Sequence, residues 1–176
     1  MTAIYGVVEE DGRELAWPLL SLAVERHWGW TALPAVGRSG RGKPLFQGLS
    51  GHWFSLSHSG GIALCALSGA PVGVDVELVR PRRAALPGYV LSQEEKARFD
   101  GSWEEFYRLW TLKESWCKRE DAPLYPPRQV RVPPPCPHRS YPGAGWQAAV
   151  CCWDEPPADI VWLDAKEIVL EKEGAV

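Results

Sequence analysis

Val72-Gly73-Val74-Asp75-Val76-Glu77 is the stretch on which the reading of this chain turns. Three valines alternate with Gly73, Asp75 and Glu77, the period-two pattern of a β-strand with one apolar face. Both carboxylates then leave the opposite face, about 7 Å apart. Two acids side by side on a core strand repel each other and lose solvation unless a cation stands between them. Further along, Trp110-Thr111-Leu112-Lys113-Glu114-Ser115-Trp116-Cys117-Lys118 reads as a helix. Glu114 and Lys118 are four apart there and therefore neighbours on one surface. The three acids, with Lys113 and Lys118, form a donor set suited to a hard divalent cation and a phosphate-bearing substrate.

A length of 176 residues suits one domain or two small lobes sharing an interface, and 45% apolar content is ample for a core. Most of the ten tryptophans should serve packing. No apolar run reaches about 18 residues, so no membrane span is expected. Met1 to Val8 lacks the basic start and cleavage site of a signal peptide, which points to the cytoplasm. The five cysteines show no zinc-ligand spacing and are expected to be buried, reduced thiols. Net charge is −3, which argues against general nucleic-acid binding. Arg38, Arg41 and Lys43 nevertheless form a short acid-free run, either an anion site or a solvated loop.

A strand is expected over Ile4 to Val8 and a helix over Leu15 to Trp28, with Pro18 near its first turn. Residues 34–44 read as a loop. Trp53 to His58 and Ile62 to Leu67 read as a hairpin through Ser59-Gly60-Gly61. Ser92-Gln93-Glu94-Glu95 is a capping box for a helix running to about Phe99. Trp103 to Arg119 carries an apolar stripe of Trp103, Phe106, Trp110 and Cys117. Eight prolines from Pro123 to Pro142 predict irregular or edge structure. Closing strands are expected at Trp146 to Trp153 and Ile160 to Leu163, with a short helix near Lys166. The pattern is α+β and suits two similar lobes.

Four blocks carry a family resemblance: Gly42-Lys43-Pro44; Phe54-Ser55-Leu56-Ser57-His58-Ser59-Gly60; Val72 to Glu77; and Phe106-Tyr107-Arg108-Leu109-Trp110 running into Lys113-Glu114-Ser115 and Lys118. In order and spacing the chain resembles the Sfp-type 4′-phosphopantetheinyl transferases, over residues 35–170. The resemblance implies a pseudo-dimer of two similar α/β lobes, an abbreviated N-terminal lobe at residues 1–70 and a C-terminal lobe at 71–176. Coenzyme A would lie in the cleft between them. It implies transfer of phosphopantetheine from coenzyme A to a serine of an apo acyl or peptidyl carrier protein, releasing adenosine 3′,5′-bisphosphate. It implies Asp75, Glu77 and Glu114 as ligands of Mg²⁺, with Mn²⁺ a fitting substitute. Ser57 and His58 would lie near the adenosine and its 3′-phosphate. Lys43, Lys113 and Lys118 would meet phosphate oxygens, and Glu95 would be a further acid of the cleft.

Within that frame Lys118 suits stabilisation of the leaving bisphosphate or of the developing equatorial charge. Glu114 is the preferred general base for the carrier serine, directly or through a metal-bound water. Arg80, Arg82 and Arg83 suit either the acidic helix of a carrier or a solvated loop. A monomer is expected, with no nucleic-acid or membrane partner.

The first lobe departs from the family pattern. Trp17-Pro18 stands where a cation is expected, with Arg13, Arg26, Arg38 and Arg41 as local substitutes. Fewer phosphate contacts imply weaker coenzyme A binding. A second reading follows: a non-catalytic coenzyme A or carrier-protein binding homologue. A Ser-His hydrolase on Ser57-His58 fares worse, since neighbours on a strand point to opposite faces and no G-x-S-x-G elbow is present.

Overall fold

Alternating apolar residues build two sheets, and one long helix covers each. The computed structural model describes residues 1–9 and 12–168. In chain order these form β1 (Ala3–Val8), α1 (Gly12–Trp28), β2 (Val36–Arg38), β3 (Pro44–Phe46), β4 (Trp53–Ser59), β5 (Ile62–Ser68) and β6 (Gly73–Leu78). There follow α2 (Leu86–Val90), α3 (Gln93–Lys96), α4 (Trp103–Glu120), β7 (His138–Gly143), β8 (Trp146–Cys151) and β9 (Val161–Trp162). The first sheet runs β4-β5-β1-β9 and the second β6-β8-β7, with β2 and β3 as a separate ribbon. Residues 165–168 are helical, so the helix expected near Lys166 begins within the described residues. The last two residues of the 35–170 resemblance, 169 and 170, lie outside them.

The layers follow from the period-two pattern. Leu15, Leu19, Leu20 and Ala23 of α1 bury against Tyr5, Val7, Cys65 and Leu67 on one face of the first sheet. Its other face, with Ile4, Ile62, Leu64 and Ala66, shares a core with Val72, Val74, Val76, Ala148 and Val150 of the second sheet. Each such large side chain, fully buried, contributes about 1.5–3 kcal/mol. On the far side of the second sheet, α4 crosses β6 at Gly73. A Cβ there would overlap the carbonyl oxygen of Ser115 and stand 2.5 Å from the amide nitrogen of Arg119. The missing side chain lets α4 lie directly on the strand that carries Asp75 and Glu77. At its N-terminus Ser102 Oγ accepts from the Glu105 amide at 3.1 Å. At its C-terminus Asp121 takes the left-handed conformation, φ 50°.

Several local expectations are corrected. Residues 34–44 are not all loop: Val36 pairs with Phe46 and Arg38 with Pro44 in an antiparallel ribbon. Helix α1 starts at Gly12, so Pro18 sits in its interior and removes the donor that carbonyl 14 would receive. The capping box at Ser92 is present, but α3 stops at Lys96, well before Phe99. The closing stretch does not stay with the second lobe: β9 pairs in parallel with β1, and Leu163 and Ile168 join the core under α1. Residues 160–168 therefore straddle a boundary drawn at 70/71. All five cysteines are free thiols; Cys136 is half-buried and the other four are buried. No helix among the described residues is long and apolar enough to cross a membrane.

Gly73→Ala must push α4 away from β6 or kink the strand. We expect it to lower unfolding stability by about 1–3 kcal/mol, read by urea denaturation. A wild-type midpoint would show that the helix is not seated on the strand at this point.

Candidate active site

The site forms where two sheet edges meet. Strands β4 and β6 end their respective sheets, and they are joined by side chains rather than by a backbone ladder. Ser55, Ser57 and Ser59 occupy one face of β4. Their hydroxyl oxygens accept from the amides of Val74 at 3.1 Å, Val76 at 3.2 Å and Leu78 at 3.1 Å. Ser57 also donates to Asp75 Oδ1 at 2.8 Å, and Ser59 to Glu77 Oε2 at 2.8 Å. On the carbonyl side, Lys43 Nζ donates to Val72 O at 3.1 Å and Lys118 Nζ to Val74 O at 3.2 Å. Hydroxyls and ammonium groups thus satisfy an edge that would otherwise need another strand.

Helix α4 supplies the opposing charges. Lys118 Nζ lies 2.7 Å from Asp75 Oδ1 and 3.1 Å from Ser57 Oγ. Asp75 is 4% exposed, and its other oxygen, Oδ2, is buried with no hydrogen-bond partner. Glu114 is pushed up to about 7, first by burial and then by the Asp75 charge, against the pull of Lys118. Glu77 is also raised, by burial first, while the Ser59 hydrogen bond pulls it down and Asp75 pushes it up. Lys43 drops to about 8, chiefly through burial, with Asp121 opposing the shift and Lys118 adding to it. Its ammonium also stands 5.9 Å over the Trp53 ring.

Among the described residues no three His, Cys, Asp or Glu side chains stand together as a ready metal cluster. The donor chemistry still fits a divalent cation. A buried carboxylate oxygen without a donor, beside two acids that resist ionisation, is a site short of positive charge. The three acids interact electrostatically but are not drawn onto one point, because Lys118 and Ser57 hold Asp75 by its other oxygen.

Two hollows flank this cluster. One of about 290 Å³ is lined by Arg41, Lys43, Glu114, Lys118 and Asp121 among others. The second, about 370 Å³, is lined by Glu77, Arg82, Arg83, Leu86, Phe106, Tyr107 and Trp110. Arg82 Nε donates to the Tyr107 hydroxyl at 3.3 Å, which donates in turn to Arg80 O at 3.3 Å.

The structure brings Lys43, Ser57, Asp75, Glu77, Glu114 and Lys118 together. His58 is exposed on the opposite face of β4 from Ser57. Lys113 and Glu95 require correction. Lys113 is fully buried, with Nζ donating to Glu95 Oε1 at 2.8 Å and Val130 O at 2.6 Å. Glu95 spends its other oxygen on the Ser92 amide at 2.8 Å, closing the capping box. One helical step of 100° separates Lys113 from Glu114, and it turns Lys113 into the core behind α4. This pair holds structure together and is not part of the cleft. Of the substitutes named for the first lobe, Arg41 lines the cleft, Arg26 pairs with Glu167, and Arg38 donates to Gly42 O at 2.9 Å. The sequence reading missed Ser59 and Asp121. Serine at every second position of β4 was the available signal for the first.

Comparisons with known proteins point to one superfamily. A family model of the 4′-phosphopantetheinyl transferase superfamily matches residues 71–140, which include Asp75, Glu77, Glu114 and Lys118. The chain is 28% identical over 151 residues to 4′-phosphopantetheinyl transferase Sfp of Bacillus subtilis (strain 168), covering 73% of this chain and 67% of that protein. It is 38% identical over 95 residues to 4′-phosphopantetheinyl transferase AcpT of Salmonella typhi, covering 49% of this chain and 50% of that protein. With AcpT of Escherichia coli (strain K12) the identity is 39% over 95 residues, 49% of each chain. The match spans about half the length of the AcpT relatives. Over these spans the chain is similar to members of the 4′-phosphopantetheinyl transferase superfamily.

Two outcomes follow from the charges. A carboxyl raised on folding from 4.5 to about 7 favours the folded state fully below 4.5 and loses that contribution as pH climbs through 7. In EDTA, Glu114→Gln should therefore melt higher than wild type at pH 8 and close to it at pH 4.5, by calorimetry. Equal melting at pH 8 would place Glu114 in open water. Lys113→Met leaves Glu95 buried and unpaired and should cost about 3–5 kcal/mol, with Glu95→Gln in the same chain recovering most of it. Unchanged stability with weakened coenzyme A binding would return Lys113 to the phosphates.

Proposed function

We propose that this protein transfers 4′-phosphopantetheine from coenzyme A to the serine hydroxyl of an apo acyl or peptidyl carrier protein, releasing adenosine 3′,5′-bisphosphate. The observation that carries the reading is the buried, donor-less Oδ2 of Asp75 within electrostatic reach of Glu114, which Glu77 also influences and which lines a cleft together with Arg41 and Lys43. The crowded acids call for a cation, and the basic cleft calls for a polyanion. Coenzyme A with Mg²⁺ supplies both.

On this reading Asp75, Glu77 and Glu114 hold the cation, and Mn²⁺ suits the same oxygen ligands. When bound, it draws charge off the diphosphate and favours attack at the phosphorus nearer the pantetheine. Lys43 and Arg41 bind phosphate oxygens, which would reverse the depression of Lys43. Glu114 takes the proton from the serine Oγ, its carboxyl being poised near neutrality in the metal-free protein. The serine oxygen forms a bond to that phosphorus as the bond to the departing bisphosphate breaks. Lys118 faces the developing charge; in the free protein its ammonium is committed to Asp75, Ser57 and Val74 O.

The carrier helix would approach across the hollow of Arg82, Arg83, Phe106 and Trp110, where cations rim an aromatic floor. The two lobes, each one long helix on one sheet, serve as halves of a pseudo-dimer, and the cytoplasm is the compartment of action. Loss of first-lobe cations would weaken coenzyme A binding without removing the acids.

With Mg²⁺ and coenzyme A, the purified protein should add the mass of phosphopantetheine to apo carrier proteins, and Asp75→Ala should abolish the addition. Mass spectrometry over a broad carrier panel decides. Coenzyme A binding with no mass shift on any carrier would leave a binding protein instead of an enzyme.

A further inference from the structure

Each serine of β4 grips the amide of a β6 residue, and two of them also grip the acid just before it. Ser57 holds the Val76 amide and the Asp75 carboxylate; Ser59 holds the Leu78 amide and the Glu77 carboxylate. A hydroxyl has one proton to give and two lone pairs to receive. The amide takes a lone pair, so the proton is free to point at the carboxylate. The acid side chain is thereby fixed relative to the backbone of its own strand.

At Ser57 the capacity is full. Its oxygen receives from the Val76 amide and from Lys118 Nζ at 3.1 Å, and its proton goes to Asp75. Nothing remains for an adenosine or a 3′-phosphate unless one of these bonds breaks. The arrangement also accounts for the state of Asp75: with Oδ1 turned to Ser57 and Lys118, Oδ2 is the oxygen left over. Ser55 makes the same amide contact, to Val74, but the preceding residue is Gly73 and no carboxylate is present. The ladder thus contains its own control.

We infer that Ser57 and Ser59 are positioning residues that aim the carboxylates of Asp75 and Glu77 at the cation, and that Ser57 is not a contact of coenzyme A. The inference rests on the proposed cation site. Outer hydrogen-bond partners of metal ligands typically contribute 10–100-fold to metal affinity.

The test uses the full chain. Mn²⁺ affinity is read by electron paramagnetic resonance with coenzyme A present, coenzyme A affinity by calorimetry in EDTA, and amide exchange by NMR in the metal-free protein. Ser57→Ala and Ser59→Ala should each weaken Mn²⁺ binding by about tenfold or more, with Ser57→Thr and Ser59→Thr restoring it. Coenzyme A affinity in EDTA should not change in Ser57→Ala. The Val76 amide should exchange faster in Ser57→Ala and the Leu78 amide faster in Ser59→Ala. Ser55→Ala should free the Val74 amide and leave Mn²⁺ affinity within about twofold. Wild-type Mn²⁺ affinity in both alanine variants overturns the inference. So does an equal loss in Ser55→Ala, which would mean general loosening of the seam, or lost coenzyme A binding in Ser57→Ala. Wild-type protein that takes up no Mn²⁺ and transfers nothing overturns the function reading itself, a result distinct from a wild type that binds while the variants bind equally well.

Discussion

The hydroxyl seam between β4 and β6 is the constraint on which the rest of the site depends. Two sheets that end side by side each present unpaired amides and carbonyls, which is costly in an interior. A backbone ladder would close the gap but leave no room for side chains between the strands. Serine at positions 55, 57 and 59 reaches across with one oxygen each and satisfies the amides of 74, 76 and 78. The strands stay far enough apart for the carboxylates of Asp75 and Glu77 to share the same seam. Packing alone could not do this, since an apolar side chain in place of any serine would orphan a buried amide.

Charge balance at that seam depends on one lysine. Asp75 is buried and has Lys118 as its counter-ion, while Glu77 and Glu114 lie nearby and are raised by burial. The metal-free protein therefore tolerates the cluster by leaving part of it uncharged at neutral pH. The second ion pair of the same helix, Lys113 with Glu95, is solved differently: it is sealed from water and each group finds further hydrogen bonds. Consecutive residues 113 and 114 of α4 thus serve opposite ends, one locking the helix to α3 and the loop at Val130, the other facing the cleft.

The acidic strand, the hairpin β4–β5 and helix α4 were legible because their patterns are local and strongly periodic. Three valines in alternation admit only one strand face for the acids, and four residues place Glu114 beside Lys118. The ribbon at 36–46 was hidden because strands of three residues carry too little periodicity, and glycines dominate the intervening turn. The early end of α3 was hidden because a capping box marks where a helix begins and not where it stops. Lys113 was misplaced for a plainer reason. A lysine is expected at a surface, and only the tertiary position of Glu95, 18 residues away, accounts for its burial. The return of β9 to β1 is equally non-local, since a two-residue strand shows nothing about its partner.

The first sheet and its helix are held by packing, while Arg41 and Lys43 of the cleft come from the ribbon. Helix α1 keeps its buried face of Leu15, Leu19, Leu20 and Ala23 although Pro18 interrupts its hydrogen bonds, because sheet packing rather than the helix ladder holds it. On the same helix Arg26 reaches Glu167 near the end of the described chain, and Trp17 stands exposed beside Phe54. Arg41 and Lys43, from the turn between β2 and β3, line the cleft. Lys43 in turn is anchored to Val72 O, the residue that opens the acidic strand. The basic turn and the acids are therefore tied to one edge, and a shift of β6 would move both halves of the site together.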